Sequence, residues 1–454
     1  MHPSRAIRGN RSKLLTGRRI VLAVTGSIAA VEVPRIAREL IRHGAEVRAV
    51  MSPDAARIIT PEALHFATGS APVLALSGEV EHVSLLGPGE GQADLLLIAP
   101  ATANTISKVA HGIDDTVVTS FASVALGGGV PVLVAPAMHA HMASNPAVAE
   151  NLERLRRWGV GIIASQSVEG EEKIAPPEEV AAAVLYRLAR GPWAGRRVLV
   201  IGGAGREPID AVRSVTNESS GATAVQIATQ AHFRGADVES WLGAVEVSVP
   251  SFLRARRWRS VGDLTRLIAD RSALPKELAA IWVPAALADY TLDPQSGKIS
   301  SRDHAELVLT LRRAPKVLAE LRRRAPPPTE IVGFKLEAGA SEEELLRAAE
   351  RMREEVGADW VVANDRASMG SAETSVWLIS RDGRKASFSG PKSEVAGRLL
   401  DEVGPTLGGR PKEGPPVRRR PHGRRASRRA TVPPRTGSRP HSGRRRPPRN
   451  LRRR

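Results

Sequence analysis

Two β-branched apolar runs in this chain end in small residues and lead into helical patterns. The first, at residues 20–30, reads IVLAVTGSIAA, and the second, at residues 198–210, reads VLVIGGAGREPID. Parallel α/β sheets present backbone N–H groups to anions where an apolar strand is followed by a glycine turn and the start of a helix. We therefore predict two α/β units that each handle a phosphate group, although glycine at such a turn can also serve packing alone.

Strand and helix patterns alternate throughout both halves of the chain. Strands are predicted at residues 20–24, 46–51, 94–99, 130–135 and 159–163, then at 198–201, 237–241, 279–283, 330–334 and 360–363. A helix is predicted at 342–355 and a hairpin at 375–380 and 385–389. Continuous apolar strands separated by helices predict parallel sheets covered on both faces. The predicted fold class is α/β, with two Rossmann-like parallel-sheet domains and a disordered basic tail.

The charge divides the chain further. From residue 406 onward there are 17 Arg and one Lys against the single Glu413, which leaves only +1 of the net +18 for residues 1–405. Such a segment, poor in large apolar residues, is expected to be a solvated extension or to bind RNA or another polyanion. The predicted divisions are a basic lead at 1–17, domains at 18–190 and 196–403, a linker at 191–195 and the tail at 404–454.

Cysteine is absent, which excludes disulfides, thiolate metal sites and a cysteine nucleophile. No apolar run approaches the roughly 20 residues that span a bilayer. We therefore expect a cytoplasmic protein with no membrane partner, whose only nucleic-acid contact would come through the tail.

Polar residues follow two further strands of the first half. Residues 99–105 read APATANT and residues 136–142 read PAMHAHM, so both strands end in Ala-Pro-Ala. Ligands of open α/β sheets bind at the carboxyl ends of strands, which predicts one shared crevice. Together with Gly26-Ser-Ile-Ala and Glu81-His82-Val-Ser-Leu, these motifs resemble, in order, the flavin-dependent cysteine decarboxylases over residues 18–190.

This resemblance implies an FMN site and a decarboxylation without net redox change. FMN would be held by Gly26, Ser27, Ile28, Ser52, Pro100, Thr102, Asn104 and Thr105. His82, which by itself could be an ordinary surface or core histidine, would be catalytic and lie near the cysteine carboxylate. His139 and Met142 would clamp the substrate. The resemblance also implies a homo-oligomer built from trimers.

Two departures from the decarboxylase pattern bear on mechanism. The family usually has Asn at position 139 and an aromatic residue at position 143, whereas this chain has His139, as in an archaeal-like branch, and Ala143. Bacterial members use a Cys as proton donor. Here Lys173 or Glu171 could donate that proton, or both could be solvated flap residues.

The second half carries a different ordered set of motifs. GGAGREPIDAVR at 202–213, TNESSG at 216–221, AALADY at 285–290 and GKI at 297–299 are followed by APKVL at 314–318, GFKLE at 333–337 and AND at 363–365. Individually these pieces are weak, and Asp289 or Lys298 could be a helix cap or a surface lysine. As a set they resemble the phosphopantothenate–cysteine ligase domain over residues 196–400.

This second resemblance implies CTP and Mg²⁺, with an acyl-cytidylate that the amine of cysteine attacks. Asp289 would hold the metal or the triphosphate, Lys298 would neutralise phosphate charge, and Asn217 would orient the pantothenate carboxylate. Ser219, Ser220 and Gly221 would bind the phosphate of 4′-phosphopantothenate. The cytidine would lie near Phe334 and the loop of Pro315, Lys316, Val317 and Leu318.

Several phosphate-contacting lysines of the ligase family are replaced, since Ala222, Met352 and Val356 stand at their positions. The motifs together predict a bifunctional decarboxylase and ligase of coenzyme A biosynthesis, which makes 4′-phosphopantetheine from 4′-phosphopantothenate and cysteine. Two alternatives stay open at this point. Only one half could be active, or the chain could be a flavoprotein that binds RNA or a partner through its tail.

Overall fold

The computed structural model describes residues 2–168, 171–270, 272–302, 306–325, 327–365 and 370–408, without the side chains of residues 167, 168, 171 and 172. The predicted basic tail falls mostly on residues 409–454, which lie outside the described residues. Within the described part of the chain, no helix is long and apolar enough to cross a membrane.

The described residues of the first half form eight strands and ten helices. The strands are β1 (Arg19–Val24), β2 (Glu46–Met51), β3 (Leu95–Ala101), β4 (Val132–Pro136), β5 (Met138–His139), β6 (Gly161–Ile162), β7 (Gln166–Val168) and β8 (Glu171–Lys173). The helices are α1 (Pro3–Ala6), α2 (Val33–Arg42), α3 (Pro53–Ala56), α4 (Pro61–Thr68), α5 (Glu81–Leu86), α6 (Ala103–His111), α7 (Val117–Gly128), α8 (Ala140–Ala143), α9 (Pro146–Arg157) and α10 (Pro177–Leu188), with a 3-10 turn at Ile28–Glu32.

The second half continues the numbering. Its strands are β9 (Arg197–Gly202), β10 (Arg206–Pro208), β11 (Ser214–Thr216), β12 (Asp237–Leu242), β13 (Arg254–Arg257), β14 (Leu278–Val283), β15 (Tyr290–Thr291), β16 (Arg312–Arg313), β17 (Glu330–Glu337), β18 (Trp360–Asp365), β19 (Glu373–Ser380) and β20 (Lys385–Pro391). Its helices are α11 (Ala222–Phe233), α12 (Val261–Ala269), α13 (Val317–Arg324), α14 (Glu342–Val356) and α15 (Lys392–Val403).

The main sheet of the first half is parallel, in the order β2-β1-β3-β4-β6. Because side chains alternate along a strand, β1 contributes to two cores. Ile20, Leu22 and Val24 pack in one core, with α2 and α10, while Val21 and Ala23 pack in the other, with α6 and α7. Helices on both faces confirm the predicted α/β class for this half.

The second half has an eight-stranded sheet in the order β13-β12-β9-β14-β17-β18-β19-β20. The first six strands are parallel, and the predicted hairpin β19–β20 adds two antiparallel strands at one edge. Helices α11 and α15 cover one face, and α12, α13 and α14 cover the other. The parallel-sheet prediction is confirmed here as well.

Segments at both ends of the packed region join these cores. Leu15, within the basic lead, is buried in the core beneath α2, and the Ser12 hydroxyl bonds to Nδ1 of His43 at 2.7 Å. Beyond Val403, a 3-10 turn at Gly404–Thr406 brings Leu407 into the core of the second half. Leu15 therefore anchors the basic lead, and Leu407 is buried although it falls within the predicted disordered tail.

The two halves dock through α10, α11 and the linker. The His232 ring stacks on Tyr186 and on Phe252, with ring centroids 4.7 and 4.5 Å apart. Phe233 meets the edge of His43, and the buried Trp193 indole N–H donates to the Leu400 carbonyl at 2.8 Å. Aromatic rings therefore contribute to the contact between the halves, which the Ser251 hydroxyl also joins by donating to Glu179 at 2.6 Å.

Two candidate active sites

Four strand ends meet at the carboxyl edge of the first sheet. Since β2, β1, β3 and β4 are parallel neighbours, Ser52, Gly26 and Pro100 lie along one edge with the turn that follows β4. Gly26 allows close approach here, because an added Cβ would lie 2.4 Å from the Cβ of Asp54. The predicted FMN residues are therefore brought to one edge of the sheet.

Hydroxyl groups hold the loops of this edge. Ser27, Ser52 and Thr102 each cap the helical turn that follows, with the side-chain oxygen accepting a backbone N–H. Thr102 Oγ1 also lies 3.2 Å from Thr105 Oγ1. Asn104 is exposed, and Ile28 is 77 % exposed despite being apolar. The first turn of α6 and the loop after β1 thus offer polar and apolar surface beside each other.

His82 lies on α5, with its ring centroid 6.4 Å from that of Phe121 on α7. Its Nδ1 is buried and has no hydrogen-bond partner among the described residues. The preceding Val80 has φ of +45°, which is unusual for a β-branched residue, and Glu81 accepts bonds from the backbone N–H and hydroxyl of Ser77. The helix start is therefore fixed while one ring nitrogen of His82 stays available.

A small antiparallel sheet, β5-β8-β7, carries the predicted substrate clamp. His139 pairs through its backbone with Glu171, and its Nδ1 accepts the N–H of His141 at 3.3 Å. His139 and Met142 are both exposed, and Lys173 lies two residues beyond Glu171 on β8. Of the two predicted proton donors, Glu171 has its side chain outside the described residues.

In the second half the glycine turn after β9 is occupied by backbone bonds. The N–H groups of Ala204 and Gly205 donate to the carbonyls of Ala244 and Ala286 at 2.9 and 3.2 Å. Gly203 has φ of +83°, and a Cβ on it would lie 2.6 Å from the Ala244 oxygen. Gly203 is therefore needed for the close approach of this turn to the chain at Ala244. The N–H groups of Ala204 and Gly205 are bonded to backbone carbonyls and are not directed to a phosphate.

The expected anion donors lie instead at the start of α11, in a cavity of about 160 Å³. Ser219, Ser220 and Gly221 line it together with Phe334 of β17 and Lys392 of α15. Gly221 is left-handed, with φ of +72°, and α11 begins there without a side-chain cap. Burial lowers the pKa of Lys392. The cavity therefore combines helix N–H groups, hydroxyls, an aromatic ring and a cation.

No sequence motif pointed to Lys392. It lies more than 170 residues after Ser219, and a lysine in the first turn of a helix gives no local signal of a site. Thr223 and Asn364, which also line the cavity, were likewise missed as binding residues. Their common location follows from the tertiary structure, in which α11, α15 and the end of β18 line one cavity.

Phe334 and the Pro315–Leu318 loop do not meet in this cavity. Phe334 packs against the core beneath α11 and α15, whereas Val317 and Leu318 pack in the core on the opposite face of the sheet. Phe334 of β17 faces the side covered by α11 and α15, whereas α13, which begins at Val317, lies on the other side. Phe334 and the four loop residues could therefore surround one cytidine only if the cytidine lay at the edge of the sheet, with Phe334 on one side of it and the loop on the other.

Asp289 lies outside the cavity, with its carboxylate 79 % exposed and 3.5 Å from Nζ of Lys316. Asn217 donates from its amide nitrogen to the Leu287 carbonyl at 2.9 Å, close in sequence to Asp289. Lys298 is exposed. Among the described residues no cluster of three or more His, Asp or Glu side chains could by itself hold a metal ion.

Comparison with known proteins places these sites in a family. The flavoprotein family matches residues 8–189, and the family of the C-terminal domain of DNA/pantothenate metabolism flavoproteins matches residues 193–406. The coenzyme A biosynthesis bifunctional protein CoaBC of Thermococcus kodakarensis is 43 % identical over 404 residues, 89 % of this chain and 99 % of that protein. The chain belongs to the CoaBC family.

A protein of the same name from Methanocaldococcus jannaschii is 35 % identical over 407 residues, 89 % of this chain and 97 % of its own length. The solved C-terminal domain of a CoaBC protein aligns with 48 % of this chain and 98 % of its own, at 25 % identity and a TM-score of 0.40. As a CoaBC protein, the chain is a flavoprotein decarboxylase joined to a phosphopantothenate–cysteine ligase. The bifunctional enzyme predicted from motif order is confirmed.

Proposed function

We propose that the two halves catalyse consecutive steps on one substrate. In the ligase half, the carboxylate of 4′-phosphopantothenate attacks the α-phosphorus of CTP, releasing pyrophosphate and forming an acyl-cytidylate. The amine of cysteine then displaces CMP. In the decarboxylase half, 4′-phosphopantothenoylcysteine loses CO₂ and becomes 4′-phosphopantetheine. The observation that carries the ligase proposal is the cavity in which Ser219–Gly221, Phe334 and Lys392 meet.

FMN fits the carboxyl edge of the first sheet, where the chain at Gly26 passes too close to Asp54 for a Cβ. The residues that would hold it are Gly26, Ser27, Ile28, Ser52, Pro100, Thr102, Asn104 and Thr105. Hydroxyl-capped helix starts suit a phosphate and the exposed Ile28 suits an apolar ring system. When bound, FMN supplies a reversible hydride acceptor for the cysteinyl side chain.

His82 is the proposed catalytic residue of the decarboxylase half. Its Nδ1 is buried and has no hydrogen-bond partner among the described residues, so it can bond to the carboxylate of the substrate. The fixed start of α5 holds the histidine in place. His139 and Met142 would close over the substrate from β5 and α8. A donor on the adjoining strand β8, where Lys173 lies, would then protonate the product.

In the ligase half, the cavity at α11 binds a phosphate group. Ser219 and Ser220 provide hydroxyls, the first turn of α11 provides N–H groups, and Lys392 provides positive charge. This arrangement supports the predicted phosphate site and supplies a cation although position 222 is alanine. Phe334 can stack on a ring bound in the same cavity.

Asp289 is the proposed protein ligand of Mg²⁺ bound to the triphosphate. Mg²⁺ is commonly held by one or two carboxylates together with substrate phosphates, which fits an exposed carboxylate outside any ligand cluster of the described residues. Lys298 would stabilise charge developing at the α-phosphate. Asn217 would orient the pantothenate carboxylate, and Pro315, Lys316, Val317 and Leu318 would border the nucleotide.

The test is incubation of the purified full-length protein with 4′-phosphopantothenate, cysteine, Mg²⁺ and each nucleoside triphosphate in turn. Mass spectrometry should detect ligation with CTP and conversion to 4′-phosphopantetheine. The absorption spectrum of the purified protein should show a bound flavin. Absence of both products with every nucleotide would overturn the proposal. Accumulation of 4′-phosphopantothenoylcysteine would place the failure in the decarboxylase half. We also propose a cytoplasmic, trimer-based homo-oligomer, which size-exclusion chromatography with light scattering would test.

A further inference from the structure

Two buried carboxylates on one turn reach both ends of the segment that carries Asp289 and Lys298. Glu207 and Asp210 are only 2 % and 3 % exposed. Glu207 Oε2 accepts the hydroxyl of Thr291 at 2.8 Å, and Asp210 Oδ2 accepts the N–H of Ile299 at 3.1 Å. Thr291 lies two residues after Asp289, and Ile299 directly follows Lys298.

Each carboxylate is also anchored within its own surroundings. Glu207 Oε1 accepts the N–H of Val261, the first residue of α12, at 2.7 Å. Asp210 Oδ1 accepts the N–H groups of Val212 and Arg213 at 2.8 and 2.7 Å, and Arg213 donates from its guanidinium to Oδ2 at 2.7 Å. Both acids therefore link a rigid part of the ligase half to segment 289–299.

Backbone bonds reinforce the link at Lys298. The N–H of Ala211 donates to the Gly297 carbonyl, and the N–H of Gln295 donates to the Ile209 carbonyl, both at 3.0 Å. Lys298 thus lies between two residues whose backbones are bonded to the turn, although its own side chain is exposed. The backbone N–H of Val212, joined by those of Arg213 and Ile299, holds the pKa of Asp210 below its usual value.

An exposed lysine on a loop has many rotamers, so the loop backbone determines where its ammonium group can reach. We propose that Asp210, with Glu207, is a positioning residue that fixes the backbone carrying Lys298 for the ligase reaction. The inference rests on the proposed role of Lys298. Neither acid touches the substrate, and their effect passes through segment 289–299.

The test compares Asp210→Asn with Asp263→Asn in the full-length protein. Asp263 is a matched control, since its carboxylate also accepts backbone N–H groups, those of Arg259 and Ser260, and pairs with the arginine three residues on, Arg266, but within the described residues it makes no bond to segment 289–299. Asn at position 210 keeps one oxygen for Val212 and Arg213 but presents an amide donor to the Ile299 N–H. We expect kcat for ligation to fall about 10- to 100-fold, the scale of a misplaced reacting group, with KM for CTP nearly unchanged and Asp263→Asn close to wild type.

A double-mutant cycle separates positioning from general loss of structure. Asp210→Asn should cause little further loss in a Lys298→Ala background, because its effect passes through Lys298. Two outcomes would overturn the positioning role alone. In one, the losses in kcat of the two single variants multiply in the double variant; in the other, Asp210→Asn is unaffected while Lys298→Ala is impaired. A fully active Lys298→Ala would instead overturn the proposed role of Lys298. Urea unfolding and far-UV circular dichroism of each variant monitor folding of the ligase half, and if Asp210→Asn does not fold, Glu207→Gln is carried through the same cycle with the same expectations.

Discussion

The hydroxyl of Thr25 donates a hydrogen bond of 2.7 Å to the carbonyl oxygen of Pro100. The hydroxyl oxygen of Thr25 in turn accepts the N–H of Thr102 at 3.1 Å, and Thr25 is 1 % exposed. Two loops that are 75 residues apart in sequence are therefore joined beneath the proposed FMN site, out of contact with water.

Replacing Thr25 by valine should weaken both the fold and FMN binding. Valine keeps the β-branched shape but leaves the Thr102 N–H without its partner, and an unsatisfied buried polar group costs about 1–3 kcal/mol. We expect a lower midpoint of urea unfolding and a higher Kd for FMN, measured by fluorescence titration. Thr25→Ser keeps the hydroxyl and should stay near wild type, whereas equal Kd values for all three proteins would contradict the role of this bond.

The loops at this edge could be predicted from sequence because their cause is local. Runs such as 20–24 and 95–99 are apolar throughout and end in small or polar residues, so each pattern gives both a buried strand and the position of its exposed end. The parallel order then brings Gly26, Ser52 and Pro100 together without any further information. Whether these residues bind FMN stays a prediction.

The glycine turn of the ligase half could not be interpreted in the same way. Ala204 and Gly205 donate to carbonyls of residues 244 and 286, which are 40 and 81 residues further along the chain. A local pattern cannot distinguish a free N–H from one that a distant strand end occupies. For the same reason Lys392 was missed, since its site exists only where α15 packs on α11.

Replacing Lys392 by methionine should weaken binding of a phosphorylated substrate. Methionine keeps most of the side-chain length but removes the charge, and a hydrogen bond to a charged group contributes about 1.5–3 kcal/mol, or roughly 10- to 100-fold in affinity. We expect KM to rise for 4′-phosphopantothenate or for CTP, and separate titrations identify which phosphate the cavity holds. Lys385→Met, at an ion pair with Glu350, is the control. Unchanged KM values for both substrates would exclude a phosphate at Lys392.

Replacing Lys173 by methionine tests the proton donor of the decarboxylase half. If Lys173 protonates the product, the Lys173→Met variant should form 4′-phosphopantetheine more slowly. A decarboxylated thiol that is two hydrogen atoms lighter than 4′-phosphopantetheine should then accumulate, and mass spectrometry would detect it. Lys13→Met, at an exposed lysine of the same half, should show neither change. Normal turnover without the lighter product would remove Lys173 from consideration and direct attention to Glu171.

The aromatic contact between the halves should weaken in acid. Burial lowers the pKa of His232 to about 4, against an ordinary value of 6.5. Between these values the unfolded chain takes up a proton on His232 and the folded chain does not, so the free energy of unfolding declines as the pH falls and the loss is complete below about pH 4. At pH 5 this contribution is about 2 kcal/mol relative to pH 7.

Replacing His232 by phenylalanine keeps a ring between Tyr186 and Phe252 but removes the titration. We therefore expect the decrease in unfolding free energy from pH 7 to pH 5, measured by urea unfolding, to be smaller in His232→Phe than in wild type by about 2 kcal/mol. His111→Gln, at an exposed histidine of α6, should retain the wild-type pH dependence. Because Asp237 is the charged group that acts on His232, Asp237→Asn should lower the pKa of His232 further and extend the loss of stability to a lower pH. Equal pH dependence in wild type and His232→Phe would show that His232 does not stay neutral in the contact between the halves.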